Sequence, residues 1–288
     1  MAFARSISES IGPLSAGVCV YLAAGIPLTC HWLCQKDAVQ KLRTTPRTYL
    51  FGCGALFVVN NAASFLAVGL AVDRHQALEV ALINYLWPAL TILLSLVLLG
   101  RKANAWLAPG TLLAVLGIFL VLTQGASTTW ASLSKNIASN PVAYGLAAIA
   151  AMSWALYSTL TRRWTSPANV GVAPLFVLAT GFVLLLIRML HPEGYTWSLR
   201  VVGEVAVLSI VTGLGYVFWD VAMRKGDVVL VAACSYLTPF FSTVVSCLYL
   251  KLVPGSTLWI GCLLIIAGSF LSWHSTQENG PLTSASVS

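Results

Sequence analysis

Long apolar runs separated by short polar connections fill this chain. Runs near 12–34, 48–72, 77–99, 105–123, 141–161, 169–190, 201–222, 228–250 and 256–273 each come close to the roughly 20 residues a helix needs to cross about 30 Å of hydrocarbon. The pattern therefore predicts an all-α polytopic membrane protein with about nine spans. After residue 274 the chain turns to Ser, Thr, Gly and Pro in a polar setting, which predicts a disordered tail over 275–288.

One stretch, His75 to Leu122, occurs twice. A shift of 151 positions carries Tyr85, Leu86 and Pro88 onto Tyr236, Leu237 and Pro239 without a gap. The same shift superimposes Val80 and Ala81 on Val231 and Ala232, Ser95 on Ser246, Leu99 on Leu250, and Gly110, Gly117 and Phe119 on Gly261, Gly268 and Phe270. Apolar helices share Leu and Val by chance, but not a Tyr-Leu-x-Pro core and two glycines seven residues apart in fixed register. The chain thus divides into a first repeat at 1–126, a linker at 127–140 and a second repeat at 141–274. The helix of Tyr85 and that of Tyr236 are five steps apart in the count of spans, an odd number, so the two helical bundles form an inverted repeat, the arrangement from which alternating-access transporters are built. The first copy has only four spans against five. The counterpart of the helix from Pro141 to Thr161 is missing, and Met1 to Ile11 stands where its end would be, which fits either a chain that begins late or a protein of nine spans.

Composition strengthens the membrane reading. The 288 residues are 58% hydrophobic and 9% charged, against roughly 25% charged in a soluble domain. The net charge of +7 comes as pairs of cations between apolar runs, an orientation signal and not a nucleic-acid face. With the loop of Lys36, Lys41, Arg43 and Arg47 cytoplasmic, Arg101/Lys102, Arg162/Arg163 and Arg224/Lys225 fall on the same side. Ten of the sixteen basic residues are then inside, and the C-terminus is expected to be cytoplasmic. The seven cysteines include no Cys-x-x-Cys pair and read as small buried thiols, with no metal or other cofactor implied.

Candidate chemistry lies at mid-membrane. Tyr85 follows Arg74, and Tyr236 follows Lys225, by a distance that puts each roughly 16 Å deep at 1.5 Å per residue. Pro88 and Pro239 deprive the carbonyls of Asn84 and Ser235 of their helical donors and predict kinks there. Ala81, Asn84, Tyr85 and Pro88 share a helix face, as do Ala232, Ser235, Tyr236 and Pro239. A central substrate cavity follows from this recurrence, with close helix packing as the plainer alternative. Asn60 and Asn61 are also near the midplane; they point about 100° apart, so one at most faces a cavity and the other bonds to a neighbouring helix. Trp154 and Tyr216 lie deep enough to line a path, whereas Tyr157 and Trp219 sit close to Arg162 and Arg224, in the zone of the interfacial aromatic belt. Glu79, with His75 one turn before it, is read as an outer-rim partner for Arg74 or His75 ahead of a gate or proton site. Asp220, four residues before Arg224, is read as a cytoplasmic-end ion pair or cap.

No His-Glu-x-x-His, Gly-x-Ser-x-Gly or phosphate loop is present, so neither an enzyme nor an ATP-driven pump is expected. The run His75-Gln76-Ala77, Glu79, Asn84-Tyr85-Leu86-Trp87-Pro88 resembles the bacterial aromatic amino acid exporters of the drug/metabolite transporter superfamily. Trp154 and Tyr157, Tyr216 and Trp219, and Ser235-Tyr236-x-Thr238-Pro239 extend the likeness through the second half. The resemblance implies a ten-helix, inverted-repeat protein of the bacterial inner membrane that exports aromatic and other neutral amino acids through a central cavity. Its substrate-binding candidates are Asn60, Asn61, His75, Glu79, Asn84, Tyr85, Trp154, Tyr157, Tyr216, Trp219, Ser235 and Tyr236, with Pro88 and Pro239 as kinks. The chain departs from the family pattern in its absent first helix and in Asn60-Asn61, which stand where a more aromatic or acidic pair is expected. The expected partners are amino acids and membrane lipid, with no nucleic acid and a single chain as the unit. A cationic drug exporter and a non-transporting membrane scaffold are the rival readings; a deep unpaired carboxylate favours the first and absence of flux the second.

Overall fold

The computed structural model describes residues 2–36, 38–123, 130–166, 171–238, 241, 244 and 256–277. Among them there are only helices and connections. They are α1 (Ala2–Ile11), α2 (Pro13–Leu33), α3 (Ala38–Thr44), a π-helical turn (Thr48–Cys53) running into α4 (Gly54–Gly69), α5 (Arg74–Asn84), α6 (Trp87–Leu99), α7 (Leu107–Leu122), α8 (Trp130–Ser139), α9 (Pro141–Trp164), α10 (Ala173–Leu190), α11 (Leu199–Lys225), α12 (Val228–Ser235) and α13 (Ser256–Gln277). Seven stretches among the described residues are long and apolar enough to cross a membrane, and Leu107–Val121 is a shorter apolar helix. These coincide with eight of the nine predicted runs. The ninth, 228–250, is described only as far as Thr238 and at Phe241 and Val244, so Pro239 lies outside the described residues.

Local chemistry sets the helix ends. The side chain of Asp73 accepts the Gln76 amide at the start of α5, and Asp227 accepts the Val229 and Leu230 amides at the start of α12, each satisfying donors that the first turn leaves unpaired. Gly100 ends α6 in the left-handed region at φ 65°, where a residue without a Cβ carries no steric penalty.

The contacts between helices pair up under the shift that superimposes the repeats. α2 lies along α10 and α7 along α13; α4 packs on α9 as α11 packs on α1; and α2 meets α11 as α10 meets α4. Under the shift that superimposes the repeats, α1 corresponds to the second half of α9. It sits where that counterpart belongs, burying Ile7 and Ile11 against Ala16, Val201 and Val205. The repeated glycines meet each other: a Cβ on Gly117 would lie 2.6 Å from the Gly261 carbonyl oxygen, and one on Gly268 would lie 2.4 Å from the Ala114 amide nitrogen and 2.5 Å from the Gly110 carbonyl oxygen. α7 and α13 therefore touch backbone to backbone, as small residues allow in membranes.

Two expectations need correction, and the linker gains a helix. The last helix continues to Gln277, into the stretch expected to be disordered, and buries Ser275 and Thr276, whose hydroxyls bond to the carbonyls of Ser272 and Trp273; such back-bonding hides small polar residues from a composition rule. The linker carries the helix α8, whose Asn136 reaches into the protein. The described cysteines are free, but Cys30, Cys34 and Cys234 are exposed and only Cys53 and Cys262 are buried, because a small apolar side chain is equally at home on a lipid-facing surface.

Candidate functional site

The site is built from a face of α11. Residues one helical turn apart share a side, so Val211, Thr212, Gly215, Tyr216 and Trp219 form one wall of a cavity of about 260 Å³. Trp87 at the start of α6, Trp154 of α9, and Ser235 and Thr238 at the end of α12 close it. The rings interlock: Trp87 meets Trp219 edge to face at 5.2 Å and 87°, and Trp154 lies tilted 5.6 Å from both Tyr216 and Trp219. Phe57 of α4 supports them from behind, 4.7 Å from Tyr216 and 5.3 Å from Tyr157. Such pairs add directional attraction to the area they bury, which holds the wall in one shape.

A polar knot fixes Tyr216. Its hydroxyl donates to Asn61 Oδ1 at 2.7 Å, that of Tyr21 donates to the same oxygen at 2.5 Å, and the two phenol oxygens are 2.7 Å apart. Asn61 Nδ2 donates to the Phe57 carbonyl at 2.8 Å. Three helices, α2, α4 and α11, are thereby tied together in the apolar interior. Asn60 is buried. Neither amide lines the cavity, and Asn61 is the one that bonds to neighbouring helices, reaching the cavity only through Tyr216.

Tyr157 and Trp219 leave the interfacial belt expected from their nearness to Arg162 and Arg224. Tyr157 is fully buried beside Phe57 and Trp154, and Trp219 donates its Nε1–H to Ser158 Oγ at 3.2 Å and turns its ring into the cavity. Those arginines are drawn inward as well. Asp220 pairs with Arg224 at 2.8 Å, with both side chains nearly inaccessible. Tyr49 donates to the same carboxylate, and Arg162 donates to the Arg224 carbonyl. Distance from a charge overstates nearness to water when the charge itself is buried.

Tyr85 and Tyr236 do not join the aromatic cavity. The helix breaks at both: α5 ends at Asn84 and α6 begins at Trp87 with Pro88 in its first turn, while α12 ends at Ser235. The tightened bonds Leu86 N–H to Ile83 C=O and Tyr236 N–H to Ala233 C=O fall within one position of each other under the shift that superimposes the repeats, as proline predicts for the first. A helical wheel does not hold across a break. Trp87 takes the cavity position, while Tyr85 and Tyr236 pack with Ala89, Ile92, Val229 and Ile265. Ser235 does line the cavity.

Glu79 is fully buried, not at an exposed rim. Its carboxylate accepts from the Tyr144 hydroxyl and from Asn136 Nδ2 at 3.1 Å, joining α5, α8 and α9. His75 lies in the first turn of α5, and its side chain is outside what is described. Buried groups without a partner among the described residues include Asn84 Oδ1, Trp154 Nε1 and the Tyr236 hydroxyl; each costs roughly 1–3 kcal/mol unless a ligand, water or undescribed group meets it.

Trp87 and Thr212 were legible and unused: Trp87 stands in the repeated motif, and Thr212 is one turn before Tyr216 on the same face. Tyr21 and Phe57 gave no local signal, because a single aromatic residue in an apolar run is what any membrane helix contains.

The described residues form a multi-pass helical bundle in which aromatic rings and hydroxyls line one cavity. The chain belongs to the EamA-like transporter family, whose profile matches residues 1–123 and 141–273. It is 32% identical over 275 residues to the aromatic amino acid exporter YddG of Salmonella typhimurium, covering 95% of this chain and 92% of that protein. The Escherichia coli aromatic amino acid exporter YddG gives the same identity and coverage. That of Ancylobacter novellus is 28% identical, over 93% of this chain and 90% of the relative. A solved crystal structure, described only as that of a protein, superposes with a TM-score of 0.78 at 26% identity, over 96% of this chain and 93% of the other.

Proposed function

We propose that this chain exports aromatic and other neutral amino acids across the bacterial inner membrane by alternating access, with the cavity of Trp87, Trp154, Tyr216 and Trp219 as its substrate site. The two repeats, 1–126 and 141–274, move against one another about that site, and the C-terminus is cytoplasmic, the side to which the paired cations point. The observation that carries the substrate class is the cavity wall. It offers ring faces and the hydroxyl groups of Thr212, Ser235 and Thr238, and among the described residues no acidic or basic side chain lines it. Its volume of about 260 Å³ falls just below the roughly 300–1,000 Å³ of sites that enclose drug-sized ligands. A single amino acid with a planar side chain suits that space: the ring stacks on indole, and the ammonium lies against ring faces and oxygen lone pairs. The relatives named as aromatic amino acid exporters support the same class.

Efflux of labelled phenylalanine from liposomes containing the purified chain tests the reading, with a quaternary ammonium dye in parallel. Saturable phenylalanine flux without dye flux is the expected result. Dye flux alone overturns the substrate class in favour of a cationic drug exporter, and absence of both overturns transport in favour of a scaffold.

A further inference from the structure

We propose that the indole N–H of Trp154 is the group that receives the substrate's carboxylate, so that the cavity selects aromatic acids and amino acids over aromatic amines. The proposal rests on the export reading above and adds to it the atom that reads the anionic end of the substrate.

Trp154 lines the cavity yet is only 7% exposed, and its Nε1–H meets no acceptor among the described residues. Two other tryptophans of this core do find one. Trp219 donates to Ser158 Oγ at 3.2 Å, and Trp32 donates to the Gly171 carbonyl at 3.1 Å. Trp273 also lacks an acceptor, but it does not line this cavity. An indole N–H can only donate, so its missing partner is an acceptor, and the strongest acceptor on a small amphiphile is a carboxylate. A protonated amine has no lone pair to offer.

The surroundings sort the two ends of a zwitterion. Among the described residues no carboxylate lines the cavity to compete for the indole N–H. Thr212 and Thr238 bring hydroxyls that can donate to the same anion. The Ser235 hydroxyl already donates to the Ala232 carbonyl at 2.5 Å and so turns lone pairs toward the cavity, which suits an ammonium. Trp87, Tyr216 and Trp219 remain as faces for the aromatic side chain.

The test compares wild type with Trp154→Phe, which keeps an aromatic ring and removes only the N–H and part of the indole. Phenylalanine flux is measured in proteoliposomes against two unlabelled competitors: 3-phenylpropionate, with a carboxylate and no amine, and phenethylamine, with an amine and no carboxylate. We expect the variant to raise the KM for phenylalanine and the inhibition constant of phenylpropionate roughly tenfold, the worth of one hydrogen bond to a charged acceptor. The inhibition constant of phenethylamine is expected to change less than about twofold. Equal weakening of both competitors shows that Trp154 acts by packing alone and overturns the proposal, as does an unchanged KM. Thermal stabilisation of the purified protein by phenylpropionate separates this failure from that of the export reading. Stabilisation lost in Trp154→Phe keeps the carboxylate assignment even if wild type moves no phenylalanine, and stabilisation that is equal in both proteins, or absent from both, removes it.

Discussion

At the residue scale the interior buries several polar groups that specific partners hold. Asp220 and Arg224 form a pair that is almost wholly shielded, with Tyr49 donating to the carboxylate. Asp220→Asn leaves the Arg224 charge buried without its counter-ion and should cost about 3–5 kcal/mol. Replacing both, as Asp220→Leu with Arg224→Met, should restore most of that loss, since two apolar side chains need no partner. Thermal unfolding of the purified proteins in one detergent measures both effects; a double variant no more stable than the single one would show that Tyr49 or Arg162 depends on the pair. The knot of Tyr21, Asn61 and Tyr216 behaves differently. Its phenol oxygens are close to each other as well as to Asn61, so Tyr21→Phe still leaves Tyr216 an acceptor and should cost only about 1 kcal/mol. Asn61→Leu strands a hydroxyl proton and should cost about 1–3 kcal/mol, while also freeing the Tyr216 ring and raising the KM for phenylalanine in the flux assay.

At the element scale the repeat is most visible where backbones touch. α7 and α13 meet through Gly110, Gly117, Gly261 and Gly268, and the atoms that an added methyl would strike at Gly268 belong to the backbone of α7. Gly268→Ala should therefore separate the two helices and lower stability by about 1–3 kcal/mol. Gly145→Ala, at a helical position with nothing within 4 Å of the added carbon, should be neutral or raise stability by up to about 1 kcal/mol. Melting temperatures of the two variants compare these directly, and equal losses would refute the close-packed assignment of α7 and α13. The sequence exposed these glycines as a repeat, but nothing local told which helix each would face. The helix breaks were half legible. Pro88 announced the first, yet the consequence, that Trp87 and not Tyr85 turns toward the cavity, depends on how α6 restarts beyond the break.

At the scale of the whole molecule, orientation and transport are tested together. A reporter that fluoresces only in the cytoplasm should light when fused to the C-terminus, and a periplasmic enzymatic reporter fused there should stay inactive; the reverse would invert the assignment of the basic loops. The all-α membrane class, eight of the apolar runs and the transporter family were legible in the sequence alone. Hydrocarbon thickness fixes helix length, and a shared register such as that of Tyr85 and Tyr236 is written in the residues themselves. Tertiary structure decided what each side chain meets. Tyr157, Trp219 and Asp220 were assigned to a wet end by their spacing from Arg162 and Arg224, whereas folding buries Asp220 with Arg224 and carries the rings into the aromatic wall. Depth along one helix follows from counting residues, but burial depends on which other helices pack around it, and only the assembled bundle holds that information.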